Sequence, residues 1–317
     1  RGRARRGGAM SGFSADWLAR REPFDHAARA SAASAFDRKT LGTQLRGGVT
    51  GDAAITVLDL GCGTGASLRE VAPRLGGAQR WRLVDHDAAL LAAVPGTLTR
   101  WAHARGWQVR PQGEADVLRI DGGGLRLDVE WLHADISAGL GALPFDGTQL
   151  VTCSALLDLV SQPWLEALVA RCAGVGAAVC WALSVDGRLA WADADADDAL
   201  VHDPFRAHQR RDKGFGAALG EAAVGAALQA LATAGYCLQA AQSDWVVDGT
   251  RGGADCAMLR ALVNGMAQAA REQSPAHTAH IDTWRARRLA TLGATRLRVG
   301  HVDLIGWPSP NAGRGER

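Results

Sequence analysis

The chain has 317 residues, 47% of them hydrophobic and 21% charged, which is ample for one large domain with a substantial core. No apolar run approaches the roughly 18 residues that a membrane-spanning helix needs, so a cytoplasmic protein without membrane contact is expected. The formal charge is +2, and setting aside Arg1, Arg3, Arg5 and Arg6 turns it to −2, which argues against the basic groove that nucleic acid requires.

Residues 1–11 read as a disordered extension. The segment from Arg1 to Ala9 is built from Gly, Arg and Ala without periodicity, and no apolar stretch follows its charges to make a signal peptide. The domain proper is expected over 12–317. Residues 12–48 contain two short amphipathic stretches. Ser14 caps the first, ahead of Ala15-Asp16-Trp17, and Pro23 separates it from the Ala-rich run between Asp25 and Phe36. Trp17, Arg21 and His26 are the side chains there with chemistry to offer.

Val57-Leu58-Asp59-Leu60-Gly61-Cys62-Gly63-Thr64-Gly65 is the most informative stretch. It reads as a buried strand entering a glycine turn, with a helix starting near Ala66-Ser67. Glycines at alternate positions let the backbone turn tightly and approach a ligand. Gly61-x-Gly63-x-x-Ala66 also satisfies the looser dinucleotide fingerprint. Two later acids weigh against that reading's sufficiency. Trp81-Arg82-Leu83-Val84 ends in Asp85, placed to accept two ribose hydroxyls in either kind of enzyme. Trp131-Leu132-His133-Ala134-Asp135-Ile136 supplies a further strand ending in an acid, followed by Leu143-Pro144-Phe145.

On these residues the chain resembles the class I S-adenosylmethionine (SAM) dependent methyltransferases, whose first motif runs hydrophobic-Asp-hydrophobic-Gly-x-Gly-x-Gly. The resemblance implies a doubly wound, mostly parallel seven-stranded α/β sheet (a Rossmann-like fold) with an antiparallel last strand, and SAM as cofactor. It implies that Asp59 and Gly61 face the methionine end while Gly63 and Gly65 make room for the cofactor. Asp85 would hold the ribose, His86 or Asp87 would lie along the adenine, and Asp135 and Ile136 would stand at its edge. Ser154 would close the fourth strand beneath the transferred methyl group, and residues 12–48 would fold over the cofactor as lid helices.

The remaining elements follow in order. A helix from Asp87 to about Arg105 carries Leu90, Leu91 and Val94 on one face, with a break expected at Pro95-Gly96. Val117–Ile120 and Leu125–Val129 flank a Gly122-Gly123-Gly124 turn as a hairpin. Gln149–Ser154 is a fourth strand, and Asp158 lies in the segment after it. A helix over Pro163–Ala173 and a fifth strand over Ala177–Ser184 come next. Periodicity fails over 186–216, an insertion with an acidic first half and a basic second half. Its alternating Asp and Ala lack the Gly and Glu of a calcium loop, so no metal is expected. A helix over Glu221–Ala234, a sixth strand over Tyr236–Val247, a helical insertion over 254–293 and a closing strand over Arg296–Trp307 complete the chain. Strands alternating with helices imply a parallel sheet covered on both faces. The six cysteines are scattered with no C-x-x-C pair, and Cys62 reads as packing rather than nucleophile.

The function expected is methyl transfer from SAM to a small molecule. Asp158, His26 and His208 are the candidate bases, with Asp244 a fourth. Arg210, Arg211 and Lys213 would suit an anionic acceptor. Two alternatives stay open: an NAD(P)-dependent oxidoreductase, disfavoured by Asp59 and Asp135, and a SAM-binding module without catalysis. Residues 186–216 and the helix near Trp17 are expected to enclose the acceptor.

Overall fold

The computed structural model describes residues 14–36, 38–47, 54–112 and 117–309, so the extension expected over residues 1–11 lies outside them. Two helices, α1 (Ala15–Ala32) and α2 (Arg38–Gly47), precede the sheet. The Ser14 hydroxyl caps α1 by accepting from the Trp17 N–H at 3.2 Å. Where a break was expected at Pro23, α1 runs on unbroken. Pro23 and Ala19, whose carbonyl loses its helical partner, are both exposed, so water takes the freed acceptor.

β1 (Ile55–Leu60), α3 (Ala66–Leu75), β2 (Gly77–Asp85) and α4 (Ala88–His103) form the first two βα units. α4 also continues through its proline, Pro95. An interior proline costs about 3 kcal/mol. Against it, Leu91, Val94, Leu98 and Trp101 are buried on one face, and each such side chain contributes about 1.5–3 kcal/mol. Burial wins, and the helix stays whole.

β3 (Gln108–Pro111) was not foreseen; it lies outside the expected hairpin of β4 (Val117–Gly122) and β5 (Leu125–His133). Its closing proline blunts an otherwise open edge. β6 (Leu150–Ser154) and α5 (Gln162–Gly174) follow as expected. β7 (Ala178–Trp191) outruns its expected end near Ser184, because the closing strand keeps pairing with it as far as Trp191. The insertion at 186–216 therefore consists of the outer half of β7, then α6 (Asp198–Gln209) and a loop. After α7 (Ala223–Thr233), the expected sixth strand is broken at Ser243-Asp244 into β8 (Tyr236–Gln242) and β9 (Trp245–Asp248). The helical insertion is α8 (Gly253–Gln273) and α9 (Thr278–Ala290), and β10 (Arg296–Pro308) closes the chain.

The sheet has ten strands in the order β3-β4-β5-β2-β1-β6-β7-β10-β8, with β9 pairing β10. β5, β2, β1, β6 and β7 are mutually parallel, and β10 lies antiparallel between β7 and β8. Those seven are the doubly wound sheet that was expected; β3, β4 and β9 extend it. The chain winds outward from β1 to β5 and then returns to β6 on the other side. Strand order thus reverses between β1 and β6, and their carboxyl ends flank the crevice where such sheets bind ligands. One face is covered by α2, α3 and α4 through Leu41, Leu68 and Leu98. The other is covered by α5 and α7 through Leu165, Leu168 and Leu231. A third cluster, including Phe24, Val201, Val263 and Trp284, joins α1, α6, α8 and α9 into a cap over the strand ends. Among the described residues, no helix is long and apolar enough to cross a membrane.

Candidate active site

The turn after β1 is held open by glycine. Gly61, Gly63 and Gly65 have φ of 63°, 55° and 83°, left-handed values that L side chains rarely adopt. A Cβ on Gly63 would stand 3.0 Å from Leu18 Cδ1, so α1 presses directly onto the turn. The Gly63 N–H donates to Asp85 Oδ2 at 2.8 Å, and the Asp87 N–H donates to Asp85 Oδ1 at 2.9 Å. Two backbone donors from successive βα turns thus fix one buried carboxylate at the crevice. That rigidity follows from the glycine turn, since only a left-handed backbone brings the Gly63 N–H to the end of β2.

A cavity of about 390 Å³ opens here, lined by Gly61, Gly63, Asp85, His86, Asp135, Ile136 and Ser154. At its far edge Asp135 Oδ1 accepts from the Ser137 N–H (2.9 Å) and hydroxyl (2.6 Å), which hold its carboxyl below the usual range. The Ile136 carbonyl is occupied by the Trp164 indole N–H at 2.9 Å. Two expected contacts are displaced. Gly65 does not line the cavity; it starts α3 and faces Leu98 and Leu83. Asp59 lies a layer below, fully buried, with Oδ1 accepting from the Thr152 hydroxyl at 2.7 Å and Oδ2 without a partner. Burial pushes its carboxyl up to about 7.

A second cavity of about 600 Å³ adjoins the first, and the two share Arg21, Ala155, Asp158, His208 and Gln209 as a common wall. Asp158 is 9% exposed, its Oδ1 has no partner, and burial pushes its carboxyl up to about 6. The wall also carries backbone strain. Ala155 (φ 52°) and Leu183 (φ 55°) are the non-glycine left-handed residues among those described; Ala155 directly follows β6, and Leu183 follows Ala182, the β7 partner of Ser154. Strain of this kind persists where surrounding structure over-determines it: the Ala155 N–H donates to the Ala182 carbonyl and the Leu183 N–H to Asp303 Oδ1. α1, α6 and α8 roof the second cavity with Trp17, Phe205 and Met266.

Of the expected bases, the structure brings Asp158 and His208 to this wall. His208 Nε2 is 3.0 Å from Glu272 Oε2 on α8, which ties α6 to the roof. His26 is corrected: its ring is 67% exposed, bound to Glu70 at 2.8 Å, and it lines neither of the two cavities. Asp244 is corrected too, being committed to Arg188 (2.7 Å), Arg298 and the His301 N–H. Arg210 and Arg211 are paired with Glu221 and Glu272, whereas Lys213 does line the first cavity. Sequence reasoning missed His301, 3% exposed on β10, whose ring tilts against Trp245 with centroids 4.8 Å apart. Its Nδ1 donates to the Val299 carbonyl at 3.0 Å, and burial pushes it down to about 4, so it is neutral with Nε2 as acceptor. The inward side of the alternating run on β10 was the available signal.

No family model matches the chain, and no curated protein matches it. Solved structures that resemble it include a cyclopropane-fatty-acyl-phospholipid synthase-like protein from Lactobacillus casei, at a TM-score of 0.47 and 14% identity, covering 93% of this chain and 94% of that one. Precorrin-6y C5,15-methyltransferase from Geobacter metallireducens aligns at 0.39 and 12% identity over 86% of each chain. A SAM-dependent methyltransferase from Thiobacillus denitrificans, in complex with S-adenosyl-L-homocysteine, aligns at 0.36 and 17% identity, covering 84% and 89%.

Proposed function

We propose that the chain transfers a methyl group from SAM, bound in the first cavity, to a small molecule in the second. The observation that carries this reading is the pair of adjoining cavities at the strand-order reversal, one with an anchored ribose-type carboxylate, meeting at the unpaired Asp158. The residues suit the cofactor. Asp85 has both oxygens fixed to accept two ribose hydroxyls, and Asp135 and Ile136 stand where an adenine edge would end. Gly61 and Gly63 let a ligand approach the backbone, and Ser154 faces the methionine side.

Bound SAM supplies an electrophilic methyl carbon on a sulfonium, and the protein's work is alignment and proton removal. Asp158 is the group at the shared wall able to take a proton from the acceptor, with His208 beside it. The roof of α1, α6 and α8 overhangs a cavity of about 600 Å³, a size that suits a small molecule. A SAM-binding module without catalysis has no use for Asp158, a buried unpaired carboxyl that costs stability.

Calorimetry with SAM, its demethylated product S-adenosylhomocysteine and NAD tests the assignment. Both sulfur compounds are expected to bind and NAD is not; tight NAD binding without a response to SAM would refute it. Asp85→Ala is expected to weaken SAM by on the order of 1.5–3 kcal/mol, as hydrogen bonds to charged groups contribute, and by more than any substitution within 205–216. A folded Asp85→Ala variant of unchanged affinity would remove Asp85 from that role.

A further inference from the structure

We propose that the second cavity takes an uncharged aromatic molecule and presents one of its hydroxyl groups to Asp158, which makes the chain an oxygen-directed methyltransferase. This rests on the methyl-transfer reading above and names its acceptor class.

The charge inventory of the cavity comes first. Three guanidinium groups reach it, and each is already engaged. Arg21 holds both oxygens of Asp25 at 2.8 and 3.2 Å and lies over the Trp245 ring. Arg188 is bound to Asp186 and to both oxygens of Asp244. Arg206 donates to Asp203 and to the Gly187 carbonyl. An anionic acceptor would have to be desolvated against guanidiniums whose charge is already balanced by carboxylates, which repays little of its desolvation cost. An ammonium acceptor has no lone pair with which to attack the methyl carbon, and it would have to be desolvated beside Arg21 on the shared wall. The complement of this cavity is a neutral molecule.

Shape and the partnerless polar atoms, Asp158 Oδ1 and the Trp17 indole N–H, complete the argument. Trp17, Phe205 and Trp245 supply aromatic surfaces, and Leu262 and Met266 fill between them. Within these walls Asp158 Oδ1 is a buried acceptor without a donor, and it stands at the boundary with the cofactor cavity. An O–H group on the acceptor satisfies it. The same contact gives the proton a destination. A bond forms between the acceptor oxygen and the methyl carbon as the carbon–sulfur bond breaks. The electron pair of that bond stays on sulfur, and the hydroxyl proton passes to the Asp158 carboxylate.

The test uses the full chain saturated with S-adenosylhomocysteine and three probes of one shape: 2-naphthol, 2-naphthoate and 2-naphthylmethylammonium. Calorimetry at neutral pH is expected to show 2-naphthol binding at least tenfold more tightly than either ion, and mass spectrometry to show 2-methoxynaphthalene once SAM replaces its product. Gly265→Phe supplies the control. Gly265 is exposed on α8 at the rim of the cavity, and a Cβ there meets nothing within 4 Å. The variant is expected to lose at least tenfold in 2-naphthol affinity while S-adenosylhomocysteine binds as before. Product binding with either ion equal to 2-naphthol, with no 2-naphthol binding, or with affinity indifferent to Gly265→Phe overturns the acceptor class alone. Failure of S-adenosylhomocysteine to bind overturns the cofactor reading and this inference with it.

Discussion

Asp158 couples function to stability through one carboxyl. As a base it must be ionised, so kcat/KM is expected to fall as pH drops through about 6, where burial has moved it. The groups around it that also titrate or carry charge are Arg21 on α1 and His208 on α6, with Asp85, His86, Asp87, Asp135 and Lys213 in the first cavity and Arg188, Arg206 and His301 in the second. Asp158→Asn is expected to lower kcat by about 10²- to 10⁴-fold and to abolish the acidic limb; a limb that survives unchanged assigns it to another group. Stability moves the opposite way. A carboxyl whose folded pKa is raised binds its proton more tightly in the native state, so its contribution is lost as pH rises from about 4 through about 6. Asp158→Asn should therefore gain on the parent by roughly 2 kcal/mol between pH 4 and pH 8, read from denaturant midpoints at the two pH values. Asp59 titrates in both proteins and cancels. At this scale the sequence was legible where a residue's place follows from its own strand end, as for Asp85, Asp135, Ser154 and Asp158. It was not legible for His26 and Asp244, since Glu70 and Arg188, distant in the chain, decide what those side chains do. His301 and Arg21 were under-read for the same reason: their burial is created by elements that meet only in the folded protein.

Elements with a long apolar period were readable, and those governed by pairing were not. The glycine turn, the hairpin of β4 and β5, α5, α7 and β10 lie close to where periodicity places them. β7 was cut short because the alternating pattern fails at Asp186, Gly187 and Arg188, three residues with the composition of a turn. They form a bulge instead: Gly187 has φ 80°, Asp186 accepts from the Arg188 N–H at 3.1 Å, and the register with β10 shifts between Val299 and His301. A bulge and a turn share local chemistry, and only the partner strand distinguishes them. The prolines in α1 and α4 misled in the same direction, because a local penalty was weighed without the tertiary burial that exceeds it. That argument is testable on α4. Pro95→Ala restores the donor to the Leu91 carbonyl in the middle of the helix, where interior proline is about 3 kcal/mol less favourable than alanine. Part of the gain is offset by the looser unfolded chain, by about 0.4–1 kcal/mol. Pro95→Ala is therefore expected to stabilise by roughly 2 kcal/mol, seen as a higher urea midpoint at unchanged slope, with S-adenosylhomocysteine affinity unaltered. A midpoint at or below the parent's would mean that the proline ring's own packing matters more than the missing bond.

Taken as a whole, the molecule is a doubly wound sheet with a helical cap, and α1 is the element that belongs to both. Its second half is fastened. Phe24 and Ala28 are buried in the cap, the Trp245 indole donates to Asp25 at 2.9 Å, and Arg69 of α3 donates to Glu22 at 2.9 and 2.6 Å. Its first turn is held more lightly: Ser14, Ala15, Asp16 and Ala19 are exposed, while Trp17 and Leu18 reach into the second and first cavities respectively. Leu18 lies against Gly63, so entry of a cofactor to the glycine turn requires this turn of helix to lift and then settle. Segments with few buried contacts open at low free energy, and a ligand that binds only the closed form suppresses the opening by mass action. Amide hydrogen exchange reads this directly. Saturation with S-adenosylhomocysteine is expected to slow exchange of the amides of Leu18 to Glu22 and of the 61–65 turn by at least about tenfold, since a hundredfold excess over the dissociation constant supplies about 2.7 kcal/mol. α7 and the β4–β5 hairpin, which line neither cavity, are expected to keep their rates. Protection spread evenly over the chain, or absent from Leu18 to Glu22 while the turn is protected, would show that α1 is a fixed wall rather than the gate of the cofactor site.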